Sequence, residues 1–386
     1  MGTKKILHEK IVSRGITFDD VLILPDYSSF SRSDIDLSTL LTKKIKLRIP
    51  LVSSPMDTVT EHKLAIALAS LGGIGIIHRN LTVSDQVTEV KKVLRQKLLV
   101  GAAVGASHGF EDRTIALAKA GVPVIVVDSA HGYAKAVIDA TKFIKKKFPQ
   151  IQVIAGNVAT YEGALALVKA GTDGIRVGMG PGAICTTRII SGMGVPQISA
   201  LLETRRAVEK TNIPLIADGG IKFSGDMIKA LVCGASTIMM GSFFASCEES
   251  PGEIVELTKE HVPSRFKNIL KKEKKTYKFK SYRGMGSEAA MKKGAQIKSE
   301  DEYHGKNYKE RLLVAEGVEG LVPVRGKVKD LVEQALGGIK SGMYYAGAKT
   351  IKYLGEQTKF IQITQASLTE SHPHSILVTN PGENYQ

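Results

Sequence analysis

The chain has 386 residues, 43% of them hydrophobic and 24% charged, a balance that suits a folded protein and argues against long disorder. Its net charge of +15 attracts anions, but much of it lies in Lys267 to Lys280 and the rest is scattered without an evident continuous face, which disfavours nucleic acid as the main partner. No apolar run reaches membrane-spanning length, MGTKKILHEK is too polar for a signal peptide, and Ile6 spoils a myristoylation pattern; with three cysteines too few for a paired framework, a cytoplasmic protein is expected.

From residue 50 to 245 one grammar repeats: a short apolar run, a turn rich in Gly, Asp, Ser and Asn, then a helical stretch. The runs are IPLVSSPMD, GIGIIHRN, VGAAVG, VPVIVVDSAHG, IQVIAGNVAT, DGIRVGMG, IPLIADGG and STIMMGSFFA. Near-continuous apolar strands are what a sheet buried on both faces requires. Amphipathic stretches such as HKLAIALASLG and DMIKALVCGA alternate with them, and Gly72, Gly121, Gly171 and Gly234 sit where helices should end. Eight such units predict a (β/α)₈ barrel, with a doubly wound open sheet as the structural rival. The barrel core is expected at about 50–245. An insert and mobile flap follow at about 246–326, then a helical segment and tail at 327–386, all within one catalytic domain. In the excursion GEIVELTKEHV reads as a helix, and Lys267 to Lys280 reads as a solvated surface insertion.

Barrels of this type place their active site at the C-terminal ends of the strands. Those ends here carry Ser54, Met56, Asp57, His78, Asp128, Ser129, His131, Asn157, Asp218, Gly219, Gly220, Gly241 and Ser242. The stretch GMGPGAICTTRIISGMGVPQ places Cys185 on a Gly-rich loop after the sixth run, beside Thr186, Thr187 and Arg188. A thiol there can attack as its thiolate, whereas a buried structural thiol is the plainer reading of any free cysteine. Cys233 and Cys247 read as structural. Asp218-Gly219-Gly220 and Gly241-Ser242 follow the seventh and eighth runs, where backbone amides of such barrels commonly hold a phosphate; the alternative is simple tight turns.

GITFDDVLILP, SSPMDTVTE, GGIGIIHRN, DSAHG, GNVAT, the Cys185 loop, ADGGIKFSGD, YRGMGS, AEGVEG and ESHPH occur in order from about residue 15 to 375. Together they resemble the inosine-5′-monophosphate dehydrogenase and GMP reductase family. The resemblance implies that Cys185 adds to C2 of IMP and that a hydride passes to NAD⁺. Water would then release XMP from a covalent thioimidate as the flap closes. It puts the nucleotide on Ser54, Met56, Asn157, Asp218, Gly220, Gly241, Ser242, Tyr282, Gly284, Met285 and Gly286, and the dinucleotide on Asp128 and Ser129. It assigns a monovalent cation (K⁺) to the carbonyls of Gly180, Gly182 and Cys185, completed by Glu370, Ser371 and His372 of a neighbouring subunit in a homotetramer.

The chain departs from that pattern in places. HRNLTVSDQVTEVKKVLRQK runs directly into LLVGAAVG, leaving no room for the regulatory CBS modules many dehydrogenases of the family carry. Ala183 stands where a phosphate-binding Ser is common. The flap's water-activating Arg-Tyr pair aligns with Glu302-Tyr303, so Tyr303 stays as a catalytic candidate without its Arg; Lys309 or Arg311 is a substitute under a different alignment. Thr187 with Glu316 forms a second relay implied by the family. GMGVPQ, EGVEG and ESHPH look dehydrogenase-like, while the missing Arg and TKFIQITQ lean towards the reductase, which would act on GMP with NADPH. A nucleotide- or RNA-binding homologue without turnover is the reading from another class.

Overall fold

The computed structural model describes residues 10–270, 274–297, 314–379 and 382. Each of the eight apolar runs becomes a strand: β1 Leu51–Ser53, β2 Ile74–Ile77, β3 Val100–Val104, β4 Val124–Asp128, β5 Gln152–Val158, β6 Gly174–Val177, β7 Leu215–Asp218 and β8 Ala235–Met240. All pair in parallel, and β8 closes the barrel by lying between β7 and β1. The open-sheet alternative is therefore excluded. Leu41, Val52, Ile76, Val126, Ile154, Ile216 and Met239 pack inside the barrel. Their neighbours along each strand face the helices, which is why these runs are apolar without alternation.

The helices between them are α1 His62–Leu71, α2 Val83–Leu94, α3 Phe110–Lys119, α4 Lys135–Lys147, α5 Tyr161–Lys169, α6 Gln197–Val208 and α7 Ser224–Val232. Thr82 caps α2 by accepting the Asp85 amide at 3.1 Å, and Thr160 does the same for α5 with Gly163 at 3.2 Å. The expected terminating glycines are all left-handed; Gly234 lies at φ 93°, and a Cβ there would also stand 2.4 Å from the Arg205 guanidinium. A single helix, α2, spans the connection from β2 to β3, so no further domain is inserted there.

The excursion after β8 corrects two readings. Ile254–Thr258 is a strand, β9, not a helix; it pairs antiparallel with β10 (Thr276–Arg283), which pairs with β11 (Glu319–Pro323). In β9, Val255 and Leu257 are half-buried between exposed neighbours, so the working period is two. Pairing with β10 overrides the helical preference of Glu and Lys. The basic run is likewise not wholly a solvated insertion. Its last part enters β10, where Tyr277 and Phe279 pack inward and Lys280 is 2% exposed. The Lys280 Nζ donates to the carbonyls of Glu248, at 2.7 Å, and Ser250, and to Ser250 Oγ at 3.1 Å. Burial pushes its pKa down, opposed by the nearby Cys247 and glutamate side chains.

Within the excursion, α8 (Glu288–Gln296) follows β10. The segment that reads as helical at 327–357 forms α9 (Val328–Tyr345) and α10 (Ile351–Gln357). Helix α9 packs against both α7 and α1 and so fills the eighth place in the outer ring. Its Val332, Ala335, Ile339 and Met343 are buried on one face. Ile339→Ala is expected to cost about 2–5 kcal/mol, measured by urea unfolding, because the cavity forms where the ring closes. Downstream, Phe360–Gln362 pairs antiparallel with Val21–Ile23, tying the tail back to the N-terminal segment.

Candidate active site

At the C-terminal end of the barrel lies a cavity of about 250 Å³. Cys185 reaches it from the loop after β6, held by backbone bonds on both sides. Thr186 N donates to Glu316 O at 3.1 Å, Val318 N to Ile184 O at 2.9 Å, and Cys185 N to Gly182 O at 3.1 Å. Its thiol lies 3.2 Å from Thr187 Oγ1 and is partly open. The other two thiols are enclosed, and burial pushes Cys233 up to about 12 and Cys247 higher still. Of the described cysteines, Cys185 alone lines this cavity.

The structure gathers most of the expected site around that thiol. Ser54, Met56, Asn157, Asp218, Gly241, Tyr282, Gly284, Met285, Gly286, Asp128, Ser129, Gly180, Gly182, Thr187 and Glu316 all line the cavity. Gly220 and Ser242 sit just behind it: Gly220 packs against Pro181, and the Ser242 amide faces the Tyr282 phenol. Tyr303, with Glu302, Lys309 and Arg311, lies outside the described residues. Glu370, Ser371 and His372 are exposed in the tail and do not line the cavity; His372 instead packs edge-on against Phe223, with ring centroids 6.4 Å apart.

One wall carries an ion network that sequence reasoning missed. Arg176 projects from β6 between the ends of β4 and β7, donating from Nε to Asp218 at 2.9 Å and from its amino nitrogen to Asp128. Asn157 Nδ2 donates to the same Asp218 oxygen at 2.8 Å. Burial works against the Arg176 charge, but Asp218 and Asp128 outweigh it and raise its pKa above the ordinary value. The signal was an arginine within the otherwise apolar run DGIRVG: a charge at a barrel-strand position needs partners, and the strand ends supply them. Arg79 and Asn80, from HRN after β2, also line the cavity.

Two features mark the cavity as built for a polar ligand. Asn157 Oδ1 is a buried acceptor with no hydrogen-bond partner among the described residues, which a ligand donor would satisfy. Gly241 is pressed so closely that a Cβ would stand 2.5 Å from Tyr282 Oη and 3.0 Å from Met56 Sδ. Gly241→Ala is therefore expected to displace Tyr282 and raise the half-saturating ligand concentration by about tenfold, worth ~1.4 kcal/mol, read by equilibrium titration.

A family model described as IMP dehydrogenase / GMP reductase domain matches residues 15–374. The chain belongs to that family. Among curated relatives, an inosine-5′-monophosphate dehydrogenase of Borreliella burgdorferi is 42% identical, with 95% of this chain and 98% of that protein aligned. One from Cryptosporidium parvum is 41% identical over the whole of both chains. The Aquifex aeolicus protein of the same name is 38% identical, covering 98% of this chain and 99% of its own length. That last alignment runs over 505 positions against a chain of 386 residues, so the Aquifex protein carries many residues with no counterpart here.

The cation expected from the family is matched by donor chemistry alone. Among the described residues no group of three His, Cys, Asp or Glu side chains could hold a metal. Backbone oxygens could: the Gly180 and Cys185 carbonyls accept no backbone hydrogen bond among the described residues, while Gly182 O takes the Cys185 amide. Such oxygens suit a hard cation. Asp128 and Ser129, at the cavity's β4 edge, offer a carboxylate and a hydroxyl of the kind that fit ribose hydroxyls.

Proposed function

We propose that the protein oxidises IMP to XMP with NAD⁺ in guanine nucleotide biosynthesis, through a covalent adduct on Cys185. The observation that carries this reading is the position of Cys185 Sγ at the cavity, 3.2 Å from Thr187 Oγ1 and backed by the Asp128–Arg176–Asp218 network. The curated relatives' names support the same reaction. Asp218, held by Arg176 and Asn157, would accept ribose hydroxyls. The Gly219–Gly220 and Gly241–Ser242 turns, with Tyr282, would cradle the phosphate.

The thiolate adds to C2 of the base, making that carbon tetrahedral so that its hydrogen can leave with the bonding pair. Asp128 and Ser129 would hold NAD⁺, which when bound would supply the hydride acceptor. Thr187 Oγ1, 3.2 Å from Sγ, would pass the thiol proton on, giving up its own hydroxyl proton towards the Glu316 carboxylate as it does so. With Glu316, whose backbone is bonded to the neighbouring Thr186, and Tyr303 from the flap, it would form the candidate relay that deprotonates water. Attack of that water then breaks the C–S bond, and the sulfur leaves as thiolate. A K⁺ ion on the Gly180, Gly182 and Cys185 carbonyls would brace the Cys185 loop, with Glu370, Ser371 and His372 of another subunit completing it in a homotetramer. We also propose the single-domain layout of core at about 50–245, insert and flap at about 246–326, and helical segment and tail at 327–386, and a cytoplasmic location. Among the described residues no helix is long and apolar enough to cross a membrane.

The test is paired. IMP with NAD⁺ should raise the absorbance of reduced cofactor, and GMP with NADPH should leave it unchanged. Consumption of NADPH by GMP alone would assign the reductase. Silence in both arms with IMP still bound would make the protein a nucleotide-binding homologue.

A further inference from the structure

The Asp57 carboxylate at the end of β1 is wholly buried and lies behind the cavity rather than in its lining. Arg283, the last residue of β10, meets it with two nitrogens, Nε to Oδ1 at 3.1 Å and a terminal nitrogen to Oδ2. Asn80 donates to the same carboxylate at 2.9 Å and to the Ala290 carbonyl of α8 at 3.2 Å, and Lys293 stands 3.9 Å away. The Arg283 amide is bonded to Thr58 Oγ1 at 3.3 Å. The ends of β1 and β2 thus grip β10 and α8 at one point. A two-pronged Arg–carboxylate contact fixes orientation as well as distance.

What leaves that point leads to the reacting sulfur. Tyr282, immediately before Arg283, abuts Gly241. Gly284, immediately after it, donates to Val318 O at 3.0 Å; Val318 donates to Ile184 O at 2.9 Å; and Cys185 is the next residue. Glu316 N donates to Gly286 O at 3.1 Å, placing the candidate relay carboxylate on the same frame. The segment Tyr282–Gly286 therefore joins one wall of the cavity to the Cys185 loop, and among the described residues its ion pair is made with Asp57.

We infer that the Asp57–Arg283 pair is a positioning device that sets the Tyr282–Gly286 wall and the Cys185 loop in mutual register for attack on the bound base. The inference rests on the reading of the cavity as a nucleotide site. Neither residue is catalytic, since neither lines the cavity. A plain anchor would supply stability alone, whereas a positioning pair also controls where the thiol sits against the ligand. A misplacement of about 1 Å can cost roughly 10²-fold in rate.

The test uses the whole chain with Asp57→Asn, which keeps shape and removes charge, and Arg283→Lys, which keeps charge and removes the second prong. Leu231→Ala, in the barrel–helix core, serves as a variant that loses stability without touching the pair. Two readouts are taken: kcat and KM for IMP with NAD⁺, and alkylation of Cys185 by iodoacetamide, mapped by mass spectrometry, as IMP is titrated in. For folded Arg283→Lys we expect kcat about 10- to 100-fold down and weaker IMP protection of Cys185, while Leu231→Ala loses thermal stability with both readouts near wild type. If Asp57→Asn fails to fold, Arg283→Lys carries the test. Wild-type kcat and wild-type IMP protection in Arg283→Lys would overturn the inference. A wild-type protein that binds IMP without oxidising it would instead overturn the functional reading, and the alkylation arm would still judge the pair.

Discussion

Cys185→Ala is expected to lower the turnover of IMP by at least about 10⁴-fold while leaving the barrel folded and the nucleotide bound, because deleting a covalent nucleophile removes a whole reaction path rather than one contact. The side chain is only partly buried, and its polar contact among the described residues is to Thr187 Oγ1, so little stability is at stake. Calorimetric unfolding should therefore stay near wild type as kcat collapses. Nucleotide affinity, read by fluorescence or calorimetric titration, should change by less than about tenfold, since Asp218, Asn157 and the glycine turns remain. Retained turnover in the alanine variant would remove the covalent route.

The second large effect is expected at Asp218. Its carboxylate binds Arg176 and Asn157 at once, at 2.9 and 2.8 Å. Asp218→Ala leaves a buried guanidinium with Asp128 as its acid partner among the described residues and frees the Asn157 amide. Breaking a buried pair by deleting one partner costs about 3–5 kcal/mol, and the cavity's access to water moves this site towards the lower end. Urea unfolding should show that loss. The variant should also need about 10- to 100-fold more IMP for half-saturation, since a charge-assisted hydrogen bond to a ribose hydroxyl is worth ~1.5–3 kcal/mol. A variant as stable as wild type would mean that Arg176 finds another partner.

The barrel was legible because each strand is buried on both faces, and that demand writes itself as an unbroken apolar run bounded by turns. The glycine at 241 was legible for a related reason: a backbone pressed against Tyr282 and Met56 leaves no room for a side chain. What escaped depends on partners remote in sequence. Ile254–Thr258 carries glutamate and reads helically in isolation; only β10, further along the chain, makes it a strand. Lys280 lies in a run of lysines that all look solvated, yet its ammonium is satisfied by carbonyls of residues 248 and 250 that no local pattern reveals. Arg176 stood in plain view within an apolar run, but its acids come from two other strands. Asp57 was noted at the rim, whereas its true partner, Arg283, lies far along the chain.

The covalent claim is tested most directly by mixing the protein with IMP and NAD⁺, quenching in acid within the first turnovers, and mapping the digest by mass spectrometry. A purine nucleotide on the peptide that contains Cys185, absent when NAD⁺ or IMP is left out, is the predicted result. An unmodified Cys185 peptide under conditions where reduced cofactor accumulates, or the nucleotide found on Cys233 or Cys247 instead, would contradict it.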